Sequence, residues 1–504
     1  MIVPRMPEQH IARDTRRRER WIVLAIVAML VVWRSGVLVF WEQAQFDSDQ
    51  AVMGLMAKHL AEGRAFPVFM YGQGYILGVQ AWMAAPMFLL FGVSVASLKL
   101  PLLIINVAVA TLLVRLLERE IGLRPALAAA AAAPFILPAP GTAAHLLEPS
   151  GGNLEPFLYV LLMWLARRRP WLCGLILGVG FLQREFTVYG LAALLCIWAA
   201  EGTLLTRPGL LRAGRLVVTA AGVWFAVQAL RQVSSAAGPG TSIADLGTSP
   251  NNLLELAART CIAPGTLARG AGRLFSDHWP HLLGTAPYPL SDFSIESRVA
   301  QGLSWSSVLP AAAIVLALVR IAMADRASNK SLALSICGFL TLVGVFSVGG
   351  YVVGRCGELN FYTTRYELLS LLGIVALGAW FLRVERSKRM MGAWLGLVAC
   401  WTMLAAVSHA RLWHEYLTGP PVGAKQLIIG MLEAEGVRYG RADYWMAYYI
   451  TFMTNERIIL ASSDFVRIRT YRKLVAEHAD TAVTLSRTPC TGGRQLVRNV
   501  YLCR

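Results

Sequence analysis

Charge is what this sequence has least of. Only 15% of its 504 residues are Asp, Glu, Lys or Arg, against about a quarter in a soluble domain. By contrast 56% are hydrophobic, and mean hydropathy is +0.52. That shortage excludes an ordinary water-soluble fold and points to a chain solvated largely by lipid. The eight cysteines form no CxxC pair and no Cys/His array, which excludes a zinc or redox module. Cys173, Cys196, Cys337 and Cys400 lie inside apolar runs, where cysteine acts as a small hydrophobe. No internal repeat is visible, which argues against the paired halves of a secondary transporter. No small-x-small cleavage site follows the apolar run that opens at Trp21. The basic stretch 1–20 therefore reads as a cytoplasmic N-terminus leading into an uncleaved signal anchor.

What charge there is has an order. The net charge of +17 would raise nucleic acid as a partner for a soluble chain, but here Lys and Arg sit in short clusters between apolar blocks. Retention of positive charge on the cytoplasmic side explains that pattern, and nucleic acid is excluded as a partner. Apolar blocks fall at 21–41, 100–117, 125–140, 154–166, 171–183, 186–200, 215–231, 304–324, 331–349, 366–383 and 391–408. Several are shorter than the ~20 residues a perpendicular helix needs, so broken or buried helices are expected. Basic clusters at 16–20, 115–124, 167–169, 207–215, 320–330 and 383–389 fall on alternate connections. The segment 75–91 would invert every later cluster if it crossed, and it carries Gln80 and Pro86; it reads as a re-entrant or membrane-lying helix. The expectation is a polytopic α-helical membrane protein of about eleven transmembrane helices, N-terminus inside, in a bacterial inner membrane. A transmembrane unit 21–408 then carries outer loops 42–99, 141–155 and 232–303, and a small α/β domain, 409–504, follows on the periplasmic side. In that domain AKQLIIGMLEAEG reads as a helix with a Gly stop, and RIILASS, TAVTLSR and LVRNVYL read as strands. Cys490 and Cys503 flank two of these strands in an oxidising compartment, where a disulfide between them would persist.

The chemistry-bearing residues gather on the outer side. Phe46-Asp47-Ser48-Asp49-Gln50 directly follows the first span, and AVMGLMAKHLAEG after it has the spacing of an amphipathic helix lying along the interface. A carboxylate there can take the proton of an attacking hydroxyl or amine, although Asp49 is also an ordinary helix cap. In HLLEPSGGNLEPFLYVLL, Glu148 and Glu155 add acids, and Glu155 stands where a span begins. A charge at that place is costly unless paired or functional, although a helix-start acid also complements the macrodipole. Arg184, next to Glu185, and Arg365-Tyr366 open outer membrane boundaries. An arginine fork suits phosphate, while a local Arg184–Glu185 pair is the plainer alternative.

FDSDQAVMGLMAKHLAEG, then FPVFMYGQGYILGVQAWMAAPMFLLFGVSVASLKLP, resembles the first periplasmic loop of the GT-C superfamily of integral-membrane glycosyltransferases. That superfamily includes the protein O-mannosyltransferases and the rhizobial galacturonosyltransferase group. Asp49-Gln50-Ala51 takes the place of the family's Asp-Glu-Ala, so Gln50 departs from the pattern and Asp47 is the acid at hand to compensate. NLEPF resembles the second acid-bearing loop, TTRYELLSLLG the Arg-Tyr start of a late helix near the donor phosphate, and the tail GVRYGRADYWMAYYITFMTNERIILASSDFVRI a periplasmic domain of one bacterial subgroup. The resemblance implies an inverting transferase that moves a sugar from a polyprenyl-phosphate donor to a glycan, lipid or protein acceptor. Asp49 would be its base, Asp47 and Glu155 supporting carboxylates or metal ligands, and Arg365, Tyr366 and Arg184 the donor-phosphate contacts. Carboxylate oxygens suit Mg or Mn, but nothing in the sequence demands a metal. The rivals are a lipid or sugar transporter, and a lapsed assembly subunit for which Gln50 is the best argument.

Overall fold

The structure is a computed structural model that describes residues 7–41, 46–73, 76–235, 263–284, 307–354 and 361–504. Most of the irregular stretch expected within 232–303, including SSAAGPGTS and APYPLSD, lies outside the described residues. The fold is dominated by helices. Five are long and apolar enough to cross a membrane by themselves: Arg16–Phe40, Val95–Ile121, Arg207–Arg231, Ile336–Gly354 and Lys388–Thr418. Shorter apolar helices lie between them, among them Pro125–Ile136, Glu155–Ala166, Pro170–Gln183, Val308–Ala322 and Ser370–Val384. At about 1.5 Å per residue these are only ~18–23 Å long, and they share one buried core with the long helices.

Ion pairs mark one end of the bundle. There Arg20 meets Glu118 at 2.6 Å, Arg124 meets Glu19, Arg167 meets Glu120, and Arg320 meets Glu385 at 2.6 Å. Each pair joins basic clusters and helix ends that the charge pattern had grouped on one side. The acids Asp47, Asp49 and Glu148 lie at the other end. The first helix arrives there at Phe40, and Lys99 Nζ donates to Leu38 O at 2.9 Å, which ties the start of Val95–Ile121 to the same end. The intervening chain therefore leaves and returns on one face. Its helix Val79–Phe91 has 13 residues with Pro86 inside, about 20 Å. It ends in exposed Leu89, Leu90 and Phe91.

Over these acids sits a unit of three helices, Ala424–Ala434, Tyr444–Met453 and Arg469–Glu477, on a five-stranded sheet. The strands are β1 (Tyr439–Ala442), β2 (Ile459–Ser462), β3 (Val483–Ser486), β4 (Arg494–Val497) and β5 (Val500–Cys503), in the order β2-β1-β3-β5-β4. β1 runs parallel to β2 and β3, and β5 antiparallel to β3 and β4. LVRNVYL is thus not one strand but the β4–β5 hairpin. Asn499 takes the left-handed turn position (φ 59°), which asparagine tolerates better than most residues. Gly436 (φ 67°) follows the first of the three helices, as a helix stop should. A disulfide joins Cys490 to Cys503, with Cα atoms 6.1 Å apart.

One expectation fails. The first-loop helix, Ser48–Ala61, does not lie along the membrane interface with a wet polar face. It is buried on nearly all sides, its Met53, Leu55 and Met56 sharing a core with Tyr448, Phe452 and Leu460 of the sheet-bearing unit. Gly54 permits this approach, because a Cβ there would overlap the Phe452 ring. The polar residues that had suggested a solvated face are used in pairing. Lys58 Nζ reaches Glu456 at 2.5 Å, His59 Nε2 reaches it at 3.2 Å, Arg64 pairs with it, and Tyr471 Oη donates to it at 2.8 Å. Glu456 makes these contacts from a left-handed backbone (φ 64°), next to Asn455 at φ 52°. Such a conformation persists only where its surroundings hold it.

Candidate active site

Backbone geometry at the mouth of the first loop assigns the two aspartates different tasks. Asp47 is extended (φ −128°, ψ −179°) and its carboxylate accepts from Gln50 N at 3.0 Å. It is therefore the helix N-cap. Asp49, already in the first turn, is not a cap. Its Oδ1 accepts a 2.6 Å hydrogen bond from Tyr444 Oη. Gln50, the departure from the acidic pattern, is fully buried; a carboxylate in its place would have to be desolvated.

Tyr444 comes from the far end of the sequence and is positioned by its own helix. Asp443 caps that helix by accepting from Met446 N at 3.0 Å, and Asp464 accepts from Tyr444 N at 2.8 Å. One helix turn on, Tyr449 N donates to Ser48 Oγ at 3.2 Å. Burial, together with the negative Asp49, holds the Tyr444 phenol well above its ordinary range, so it stays protonated and donates.

A third carboxylate completes the cluster. Glu148 lies in the turns between helices, 5% exposed, taking His145 Nδ1 at 2.9 Å and Asn153 Nδ2 at 3.0 Å. Burial alone would raise its pKa, but His145, Arg365 and Lys99 hold it below the usual range. Asp47 goes the other way. Burial first, then the negative charges of Asp49 and Glu148, push it up to about 6, with Arg365 opposing. Two acids of one cluster are thus driven apart in acidity, the arrangement by which a site separates proton-holding from charge-bearing roles.

Arg365 acts on the acids, and a second guanidinium, that of Arg184, joins it at the Tyr366 ring. The Cζ atoms of Arg184 and Arg365 lie 5.6 and 5.3 Å from the centre of the Tyr366 ring. Arg184 also lies over Phe186 at 5.3 Å, and Arg365 Nη2 donates to Tyr366 Oη at 3.4 Å. The local Arg184–Glu185 pair does not form among the described residues; Arg184 turns to the aromatic rings instead. In both arginines Nε is buried without a hydrogen-bond partner, so donors remain for an anion. Arg184 packs against Gly151 and Gly152, whose φ values of 100° and 103° are open essentially to glycine. A Cβ on Gly151 would fall 2.9 Å from Ile76.

The structure therefore brings together Asp47, Asp49, Arg184, Arg365 and Tyr366 from the sequence reading. Glu155 stands apart from Asp47's neighbours. It begins its helix, 1% exposed, beside Gln80 and Gln183. Glu148, passed over in favour of Glu155, is the acid acting on Asp47. Tyr444 was missed, and no local signal marks it. Lys99, 2% exposed at the start of a span, did carry one, since a cation in an apolar run is rarely idle. Among the described residues no three His, Cys, Asp or Glu side chains converge closely enough to hold a metal.

No family model matches the chain, and no curated protein does. Solved structures do. The crystal structure of ArnT from Cupriavidus metallidurans bound to undecaprenyl phosphate superposes with a TM-score of 0.56 at 12% identity, covering 96% of this chain and 97% of that one. The apo structure of the same protein gives 0.54 at 13% identity, with the same coverage. Over nearly the whole length of both chains, this chain therefore shares the overall fold of the ArnT structures.

Proposed function

We propose that this protein is an inverting glycosyltransferase that moves a sugar from a polyprenyl-phosphate donor to a cell-envelope acceptor at the periplasmic face. One observation carries the reading. Three carboxylates surround Arg365, which shares the Tyr366 ring with Arg184, both arginines being incompletely bonded, in a fold shared with a protein crystallised with undecaprenyl phosphate. In the proposed step an acceptor hydroxyl or amine gives its proton to Asp49 as its lone pair attacks the anomeric carbon. The bond from that carbon to the phosphate oxygen breaks on the opposite face, and its electron pair leaves with the lipid phosphate. Arg365 and Arg184 balance the charge that develops there. Tyr444 orients Asp49, and Asp47 and Glu148 set the field around the reacting groups, while Glu155 stands apart beside Gln80 and Gln183. Phosphate is a good leaving group, so positioning and a base are what the protein has to supply.

The test is transfer of labelled sugar from polyprenyl-phosphate donors to envelope extract by purified protein in nanodiscs. Binding of undecaprenyl phosphate is followed in parallel. Arg365→Ala and Arg184→Ala should each weaken lipid-phosphate binding by roughly 10–100-fold, the loss of a hydrogen bond between charged groups. Lipid translocation without bond cleavage would make the protein a transporter, and binding unchanged in both variants would remove the arginines from the donor site.

A further inference from the structure

Arg365 lies in a segment whose shape its own backbone does not secure. Phe361–Glu367 is seven residues of 3₁₀ helix, and such runs beyond three or four residues are uncommon because their hydrogen bonds are poorly aligned. Side chains from elsewhere have to hold it. Glu367, at its end, is fully buried, and its Oε2 has no hydrogen-bond partner among the described residues. Burial of that kind is costly for a carboxylate unless its other oxygen is well bonded.

The bond comes from 89 residues upstream. His278, also fully buried, turns Nδ1 to Glu367 Oε1 and Nε2 to Thr363 Oγ1, the latter at 2.8 Å. A carboxylate only accepts, so Nδ1 is the donor there. With both ring nitrogens engaged, the imidazole bridges the residues on either side of Arg365 and Tyr366. Its ring centre also lies 5.0 Å from that of Tyr351, which stacks on Tyr366 at 6.4 Å and 19°. The same Tyr366 ring takes the Arg184 and Arg365 guanidinium groups. His278 thus bears on the segment by hydrogen bonds at 363 and 367 and by ring packing at 366.

The histidine is itself firmly placed. Leu274–His278 is a π turn between the helices Pro264–Arg273 and Trp279–Leu283, a widened turn of the kind often found at functional sites. The residues that follow are tied to the bundle: Thr142 Oγ1 donates to Leu282 O at 3.0 Å, and Trp401 Nε1 to Leu283 O at 2.7 Å.

We infer that His278 is a positioning residue for the donor site. By clamping Thr363 and Glu367 it holds the 361–367 turn in the shape that presents Arg365 beside Tyr366. The inference rests on the proposed donor reading and adds to it a residue that acts through Arg365.

The test uses the full chain in nanodiscs, with undecaprenyl phosphate as the ligand probe and hydrogen exchange over residues 361–369 as the measure of the turn. The variants are His278→Ala, Arg365→Ala and the two combined. His278→Ala should raise exchange over 361–369 and weaken undecaprenyl phosphate binding about tenfold, on the scale of one hydrogen bond to a charged group. In the Arg365→Ala background the same change should alter binding less than about twofold, because residues that act through one another are not additive. A purely structural role would give equal losses in both backgrounds. That result, or exchange unchanged over 361–369, overturns the assignment. If wild type binds no undecaprenyl phosphate while exchange still rises in His278→Ala, the donor reading falls and the clamp stands. Should His278→Ala melt well below wild type, Thr363→Val carries the same comparison by deleting a single hydroxyl. It should raise exchange and weaken binding about threefold, as for one neutral hydrogen bond, and again only where Arg365 is present.

Discussion

Replacing Asp49 by Asn separates a structural role from a chemical one, because the neighbouring aspartate carries the cap. The substitution removes the charge that strengthens the 2.6 Å bond from Tyr444, worth about 1 kcal/mol net. It also removes a first-turn acid that favours the helix dipole by ~0.3–1 kcal/mol. Against this, it relieves the repulsion between Asp49 and Asp47 that helps raise Asp47. These terms largely offset one another, so unfolding stability should stay within ~1 kcal/mol of wild type. Loss of a general base lowers turnover about 10²–10⁴-fold, which is ~3–5 kcal/mol in the barrier. Asp47→Ala should show the reverse balance in stability, losing the cap to Gln50 N at ~0.5–2 kcal/mol. The assay is single-turnover transfer in nanodiscs, with thermal unfolding followed by tryptophan fluorescence and lipid-phosphate binding on the same preparations. Asp49→Asn that turns over within a few-fold of wild type would refute the assignment of the base. A melting loss as large as that of Asp47→Ala would refute the division of roles between the two acids.

Three further outcomes are expected. Tyr444→Phe should lower turnover about tenfold, the loss of one hydrogen bond to a charged group, with lipid-phosphate binding unchanged; turnover within twofold of wild type would leave Tyr444 a packing residue. Asp47, with a pKa pushed up to about 6, binds its proton more tightly folded than unfolded. Its contribution to stability is therefore full below about pH 4 and declines as pH rises to about 6; Asp47→Asn should flatten that part of the melting profile, and an unaltered profile would exclude the shift. Glu456 is the opposite case. Despite burial, His59, Arg64 and Lys58 hold it well below the usual carboxylate range, so its contribution is present above about pH 4.3 and fades as pH falls. Glu456→Gln leaves Lys58 and Arg64 with Glu62 as their ion-pair partner, should cost ~1–3 kcal/mol locally, and should raise hydrogen exchange in both the first-loop helix and the 444–453 helix together; exchange rising in only one would show that the cluster does not couple them.

The sequence by itself determined what depends on the neighbours of each residue along the chain. Apolar block length gave the helices, since a helix alone satisfies the backbone of a single apolar segment in lipid from within that segment. Alternating basic clusters gave the end of the bundle where Arg20, Arg124, Arg167 and Arg320 pair, and loop position put Asp47, Asp49, Arg184 and Arg365 at the other. What the sequence could not determine were relations between distant segments. The spacing of AVMGLMAKHLAEG is that of an interfacial helix, and nothing local says that Phe452 will press on Gly54 or that Glu456 will claim Lys58 and His59. Asp47 and Asp49 are both ordinary cap residues; an extended φ at 47 and a tyrosine 395 positions away decide between them. Glu148 and Glu155 look alike in HLLEPSGGNLEPF. The turn at Gly151–Gly152, with φ near 100°, leaves Glu148 with Asp47 and Arg365 and sends Glu155 toward Gln80 and Gln183, because the strength of a charge interaction depends on distance through space and not along the chain.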